Sequence, residues 1–151
     1  SEAAVAKWHL QPLGRITDSQ WAGLDPAAMG LGPVHAATPI LQRQQFALND
    51  IDLWEINEAF AAQVLACVAA WESDAYCRDA LGLPGALGSL APDRLNVDGG
   101  AIALGHPVGA SGARIVLHLL HALRAARARR GIAAICIGGG QGGAMLVETI
   151  A

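Results

Sequence analysis

Residues 131–150 read GIAAICIGGGQGGAMLVETI. The first seven form an unbroken apolar run, as a strand covered on both faces requires. Glycine then fills five of the six positions 138–143. The residues after them, AMLVETI, favour a second strand. Strand, glycine turn and strand make a hairpin, with glycine supplying positive φ. Gly138, Gly140 and Gly143 also fit the letters of G-x-G-x-x-G. A dinucleotide fold needs a helix after that motif and an acidic residue about 20 positions further on. A strand follows here, so a dinucleotide site is rejected. No Gly-Lys-Ser/Thr occurs, so a Walker-type phosphate loop is rejected too. Five glycines exceed the needs of a turn. They let a ligand approach the backbone closely and present N–H groups to an anion.

Working back from this hairpin, residues 111–130 have helical spacing, with an apolar, buried first half. The helix ends in Arg124, Arg127, Arg129 and Arg130, a solvated cluster that complements the helix dipole. Residues 95–98 (LNVD) suggest a short strand. Residues 73–92 carry Gly82, Pro84, Gly85, Gly88 and Pro92, and read as a loop excursion with room for one helical turn. Residues 58–71 are a strongly apolar helix and 52–57 a short strand. Residues 34–48 are helical up to Pro39 and less regular beyond it. Residues 23–33 are loop, and 13–21 alternate as a half-exposed strand. The order β-α-β-α-β-α-β-β predicts an α/β domain with a mixed, mostly parallel sheet covered on both faces.

The 151 residues are 53% hydrophobic and 15% charged, which excludes disorder and suits one domain. So apolar a chain is expected to have a face covered by a partner or left exposed. Ten basic against 13 acidic residues, net −3, leave no electrostatic footprint for nucleic acid or an anionic membrane. No charge-free run reaches the ~18 apolar residues of a membrane span. Cys67, Cys77 and Cys136 are an odd count without CxxC spacing. They argue against a disulfide scaffold or a zinc site, and for a reducing compartment, with the cytoplasm expected. Residue 1 is Ser, and residues 1–10 resemble neither a signal nor a transit peptide. The chain is therefore expected to be a piece of a longer one, with 1–12 as a linker or remnant.

Residues 105–112, GHPVGASG, hold the sharpest chemical signal. His106 stands just ahead of a helix N-terminus, and Pro107 holds it extended. The positive end of the dipole disfavours imidazolium, leaving a neutral base. A loop histidine that only bonds a neighbour fits this segment equally well. Cys136, mid-strand, is ordinarily a small buried hydrophobe. Alternatively, it is a thiol at a strand end, poised for acid–base work beside Gly138. Asn57 either caps the following helix or points into the crevice at the strand's carboxyl end. His118 and His121 share a helix face, but no paired carboxylate is evident, so they read as packing or surface residues and no metal is expected. Cys67 and Cys77 read as structural. Asn57, His106 and Cys136 thus converge at strand ends, and these residue types suit acyl transfer through a thioester, which needs a base and oxyanion donors.

Three motifs, NEAFAAQ (57–63), NVDGGAIALGHPVGASGARIV (96–116) and CIGGGQGGAM (136–145), resemble the C-terminal half of the thiolases. The resemblance runs from about residue 2 to 147. It implies the second of two similar α-β-α-β-α layered domains, occupying 1–151. It further implies reversible thiolytic cleavage of 3-oxoacyl-CoA or Claisen condensation of acyl-CoAs, within fatty acid metabolism. His106 then matches the histidine that deprotonates the nucleophilic cysteine and helps bind the thioester oxygen. Asn57 matches the asparagine holding a water in that oxyanion hole. Cys136 matches the second catalytic cysteine, which moves the proton at the α-carbon or on the CoA thiol. Gly138 matches the glycine whose N–H stabilises the acyl-enzyme oxyanion. Met29 and Phe60 match residues lining the acyl pocket. The resemblance implies no cofactor, since coenzyme A thioesters are substrates, and a homo-oligomer when the protein is complete.

The departures are as specific. The family's nucleophilic cysteine belongs to an N-terminal half, neither Cys67 nor Cys77 lies in a matching motif, and much of the CoA-binding loop region is absent. The chain alone is therefore expected to be inactive and to need an N-terminal half or subunit. The 73–92 excursion is longer than the usual connection, and Asp98 stands where asparagine is common. A non-catalytic thiolase-like subunit is the alternative, disfavoured by the intact Asn57, His106 and Cys136. A β-ketoacyl synthase ranks lower, because it would usually carry Thr at the position of Pro107 and no cysteine at 136.

Overall fold

The computed structural model describes residues 1–150. A four-stranded sheet has the order β1-β4-β3-β2, with β1 at Gly14–Gly23, β2 at Leu53–Ile56, β3 at Arg130–Ile137 and β4 at Gln141–Thr149. The β3–β4 hairpin closes at Ile137↔Gln141. Gly139 and Gly140 turn it with φ of 87° and 82°, which L side chains rarely adopt. β1 runs antiparallel to β4, with an irregularity between Ile16 and Asp18. β2 runs parallel to β3, from Leu53↔Gly131 to Ile56↔Ala134.

Each face of the sheet is covered because β3 is apolar on both sides. Ile132 and Ala134 join α2 (Gly32–Gln44) and α3 (Ala61–Glu72) in a core that includes Ile40, Leu41, Trp54, Trp71 and Leu146. Ala133 faces α6 (Ser111–Ala126) on the opposite side, with Leu53 and Val147. Ile115, Leu119 and Leu123, spaced by four, form the stripe by which α6 docks. Gly32 and Gly142 let the start of α2 lie directly on β4. A Cβ at Gly32 would meet the Gln141 carbonyl oxygen at 2.5 Å and Gly142 Cα at 2.9 Å.

The layered α/β architecture with a mixed sheet is as the sequence predicts, but its parallel share is smaller. Of the three pairings only β2–β3 is parallel. The strand expected at 95–98 does not form beyond one parallel bridge, Trp54↔Leu95. Asn96 ends it by taking φ of 48°, and its side chain serves the β2 edge instead. Asn96 Oδ1 accepts from the Ile56 N–H (2.9 Å) and Nδ2 donates to the Ile56 carbonyl (3.0 Å).

Three other segments differ from expectation. The 73–92 excursion contains an eight-residue helix, α4 (Asp74–Leu81). Ser73 caps it by accepting from the Tyr76 N–H, and Gly82 ends it at φ 65°. The Gly and Pro residues behind it mask the helical pattern. α3 starts three residues later than expected, because Asn57–Ala59 turn first, with the Ala59 N–H donating to the Asn57 carbonyl (3.0 Å). Residues Glu2–Trp8, within the expected linker, form α1, capped by Ser1 and burying no residue.

Candidate active site

The parallel pair β2–β3 sends both carboxyl ends to one edge of the sheet, where open α/β folds place ligands. Asn57 follows β2 directly, and its N–H donates to the Ala134 carbonyl (2.9 Å). It is 2% exposed. Its Nδ2 stands 3.4 Å from His106 Nε2. Its Oδ1 is buried without a protein partner, so it remains free to accept from a small polar molecule.

His106 is exposed and is carried by the loop between α5 (Ala101–Leu104) and α6. The hydrogen-bond network assigns its tautomer. Ser111 Oγ donates its single proton to the Pro107 carbonyl (3.2 Å). Asn57 Nδ2, which only donates, faces Nε2, and this places the imidazole proton on Nδ1, where Ser111 Oγ accepts it 2.7 Å away. That leaves the lone pair on Nε2, directed at the Asn57 amide. A neutral imidazole held this way is a base at Nε2.

Cys136 is the penultimate residue of β3, opposite Gly142. It is buried, and burial pushes its thiol up, so the thiol stays protonated at rest. Gly138 follows at the exposed turn. Met29 lies half-buried in a 3₁₀ segment, Pro26–Leu31, which packs against α3, β3 and β4. That segment is tied to the glycine turn by the Leu24 N–H donating to the Gly140 carbonyl (2.8 Å). Phe60 is 67% exposed at the start of α3. Asn57 and His106 are thus in contact. Cys136 and Gly138 share their sheet edge from the next strand, and Met29 and Phe60 stand on the two segments leading into α2 and α3.

Several residues went unassigned in the sequence reading. Ser111 sits inside the quoted GHPVGASG motif, and its signal is a hydroxyl at the first turn of a helix. Glu58 braces the 96–105 segment, with Oε1 accepting from Asn96 Nδ2 (3.1 Å) and Oε2 from the Ile102 N–H (3.0 Å). Gly100 makes room for it, since a Cβ there would meet Glu58 Cδ at 2.7 Å. His118, read as lacking a carboxylate partner, has two, Glu55 and Asp98, brought in from β2 and from the loop after Asn96. Cys67 is pushed up to about 12 by burial and donates to the Gly30 carbonyl (3.3 Å), a structural thiol. Among the described residues, no group of three or more His, Cys, Asp or Glu is arranged to hold a metal ion.

The family model described as "Thiolase, C-terminal domain" matches residues 10–149. The chain belongs to the thiolase family. This thiolase domain is 48% identical over 139 residues to the cytosolic acetyl-CoA acetyltransferase of Mus musculus, covering 92% of this chain and 31% of that protein. It is 42% identical over 151 residues to the mitochondrial 3-ketoacyl-CoA thiolase of Rattus norvegicus, covering 100% and 34%. Among solved structures it is similar to human mitochondrial 3-ketoacyl-CoA thiolase in complex with CoA, with TM-score 0.82, 42% identity, and 100% and 34% coverage. The thiolase domain thus spans about a third of the length of the relatives it matches. No helix among the described residues is long and apolar enough to cross a membrane.

Proposed function

We propose that this thiolase domain acts in the reversible thiolytic cleavage of 3-oxoacyl-CoA, or the reverse Claisen condensation of acyl-CoAs, with an N-terminal half supplying the nucleophilic cysteine. The observation that carries the reading is the His106 Nε2 lone pair, set by Ser111 and adjoining the Asn57 amide. In the cleavage direction, Nε2 takes the proton of the nucleophilic thiol. The thiolate attacks the 3-oxo carbon, and the C2–C3 bond breaks with its electrons on C2. Cys136 gives its thiol proton to C2, releasing acetyl-CoA. A second CoA thiol then passes its proton to the Cys136 thiolate and attacks the acyl thioester, which leaves as acyl-CoA. The nucleophilic thiolate is regenerated. The raised Cys136 thiol suits the first of its two proton transfers, because a group protonated at rest is the acid required.

The Asn57 Oδ1, lacking a protein partner, suits a water held with His106 in the oxyanion hole for the thioester oxygen, and the Gly138 N–H is assigned to the acyl-enzyme oxyanion. Met29 and Phe60 are assigned to the acyl pocket. The exposed apolar surface supports a missing half. Trp21 is 69% exposed and, with Val116, Ile135 and Met145, lines an apolar cavity of about 250 Å³ between β4 and α6. We further assign the complete protein to fatty acid metabolism as a homo-oligomer. A reducing compartment, the cytoplasm in our reading, suits three free cysteines.

The test uses the chain alone and joined to a thiolase N-terminal half. Alone it is expected to show no thiolysis of acetoacetyl-CoA, and joined it is expected to be active. In the joined protein, His106→Ala abolishes acyl-enzyme formation, since loss of one oxyanion donor alone costs about 10²–10³ in rate. Cys136→Ala still accepts an acetyl group from acetyl-CoA, read by mass spectrometry, yet fails at carbon–carbon bond formation. Near-normal condensation by Cys136→Ala would make Cys136 a core residue only. An inactive joined protein that folds and binds its partner half would favour the non-catalytic subunit.

A further inference from the structure

Glu55 lies on β2, two residues before Asn57, and is 4% exposed. Its Oε1 is 2.7 Å from His118 Nδ1 on α6. His118 Nε2 is 3.1 Å from Asp98 Oδ2, whose side chain is 68% exposed. One imidazole therefore bridges two carboxylates. A neutral imidazole has one N–H, and a carboxylate only accepts. Both contacts are hydrogen bonds only while the trio holds one further proton, on the imidazole or on Glu55. When that proton leaves, one contact becomes a lone pair facing a carboxylate oxygen. Glu55 is shut off from water, so the remaining N–H stays on Nδ1, and the solvated Asp98 contact is the one that opens.

Asp98 belongs to the segment that carries His106. Asn96 fastens the near end of that segment to β2. Glu58 holds the Ile102 N–H, and Arg114 Nη1 donates to the Gly105 carbonyl (2.8 Å) at the far end. The Asp98–His118 contact ties the segment to α6 two residues beyond Asn96, ahead of the glycines. Glycines at 99 and 100, with Gly99 at φ 81°, leave the backbone there intrinsically mobile when untied.

We propose that His118 is a positioning residue, whose bridge from Glu55 to Asp98 latches the 96–105 segment and so holds His106 against Asn57, and that loss of the shared proton releases the latch. This rests on reading His106 as the base, but its test does not. The charged groups around the bridge are few. β2 contributes Glu55, with Glu58 just beyond it; the loop contributes Asp98; α6 contributes Arg114, one turn before His118, and His121, three residues after it; α5 contributes none. Burial raises the Glu55 carboxyl, the His118 charge and hydrogen bond oppose that rise, and Glu58 and Asp98 add to it. Glu55 is thereby a site that can share the proton. The sign is that the latch is closed at lower pH and opens as pH rises.

The experiment is backbone amide hydrogen exchange of residues 97–105 in the chain, free and joined to its N-terminal half, corrected for intrinsic exchange across pH 5 to 9. His106 side-chain resonances are followed alongside. Protection at 97–105 is expected to fall about three- to tenfold as pH rises, in line with one partly exposed charged hydrogen bond, while β4 amides do not change. Asp98→Asn keeps the bridge with a neutral imidazole, since its amide donates to the Nε2 lone pair, and is expected to show high, pH-independent protection. His118→Ala is expected to show low protection at every pH. A flat profile in the unaltered chain, or an Asp98→Asn profile that follows it, overturns the latch. Should the joined His106→Ala protein keep its activity, the function proposed above fails while the latch is still judged by exchange alone.

Discussion

Ser111→Ala isolates the orientation of His106 from its chemistry. Ser111 is fully buried and touches the imidazole through one atom, Oγ, at 2.7 Å from Nδ1. Alanine keeps the backbone and nearly the same volume at the first turn of α6, so no sizeable cavity opens. What is lost is one hydrogen bond on Nδ1–H and one on the Pro107 carbonyl. A neutral hydrogen bond contributes about 1 kcal/mol net, and His106 is exposed, so water replaces part of it. About 1 kcal/mol is roughly a fivefold change in the ratio of the two tautomers. The proton then spends more time on Nε2, where the lone pair is needed. Acyl-enzyme formation in the joined protein is therefore expected to fall about two- to fivefold at unchanged KM. That is far short of the loss expected for His106→Ala. Long-range ¹H–¹⁵N correlation of the His106 ring reads the tautomer in the chain alone, without any turnover. If the ring nitrogens keep their shifts in Ser111→Ala and acylation changes less than twofold, Ser111 does not orient the base.

Other perturbations follow from the same structure. Gly142→Ala is expected to destabilise the chain by about 1–3 kcal/mol or more, because its Cβ would press on the Gly32 carbonyl and meet Gly32 Cα at 2.6 Å, both backbone. Denaturant melts check this, and a cost under about 0.5 kcal/mol would mean that α2 is not seated there. Glu148 gives a pH signature. Burial alone would raise its carboxyl, but hydrogen bonds from Arg15 and Thr17 and the charges of Arg129 and Arg130 hold it below the usual carboxylate range. A depressed acid contributes stability above its unfolded pKa and loses it as pH falls through the folded value. Thermal midpoints of the chain should thus fall from pH 5 downward, and Glu148→Gln should flatten that fall. Parallel curves for the two proteins would assign acid sensitivity elsewhere.

The sequence by itself determined the parts whose cause is local. Apolar continuity at 131–137 and the glycines behind it specify a buried strand and a tight turn, because backbone geometry there needs no distant partner. The spacing of Ile115, Leu119 and Leu123 specifies one docking face of α6. The placement of Asn57, His106 and Cys136 was legible for the same reason, since each lies at a strand end or ahead of a helix. Tertiary structure decided what depends on contacts between distant segments. Asn57 and His106 are 49 residues apart, and they meet because β2 ends alongside β3 while α6 folds back on the opposite sheet face. Asn96 leaves the strand, and its side chain takes the place of a ladder residue by bonding both the N–H and the carbonyl of Ile56. His118 read as a packing or surface residue on its own helix. It acquired two carboxylates only when β2 and the loop at Asp98 were brought against α6, a juxtaposition that no periodicity within a single segment encodes.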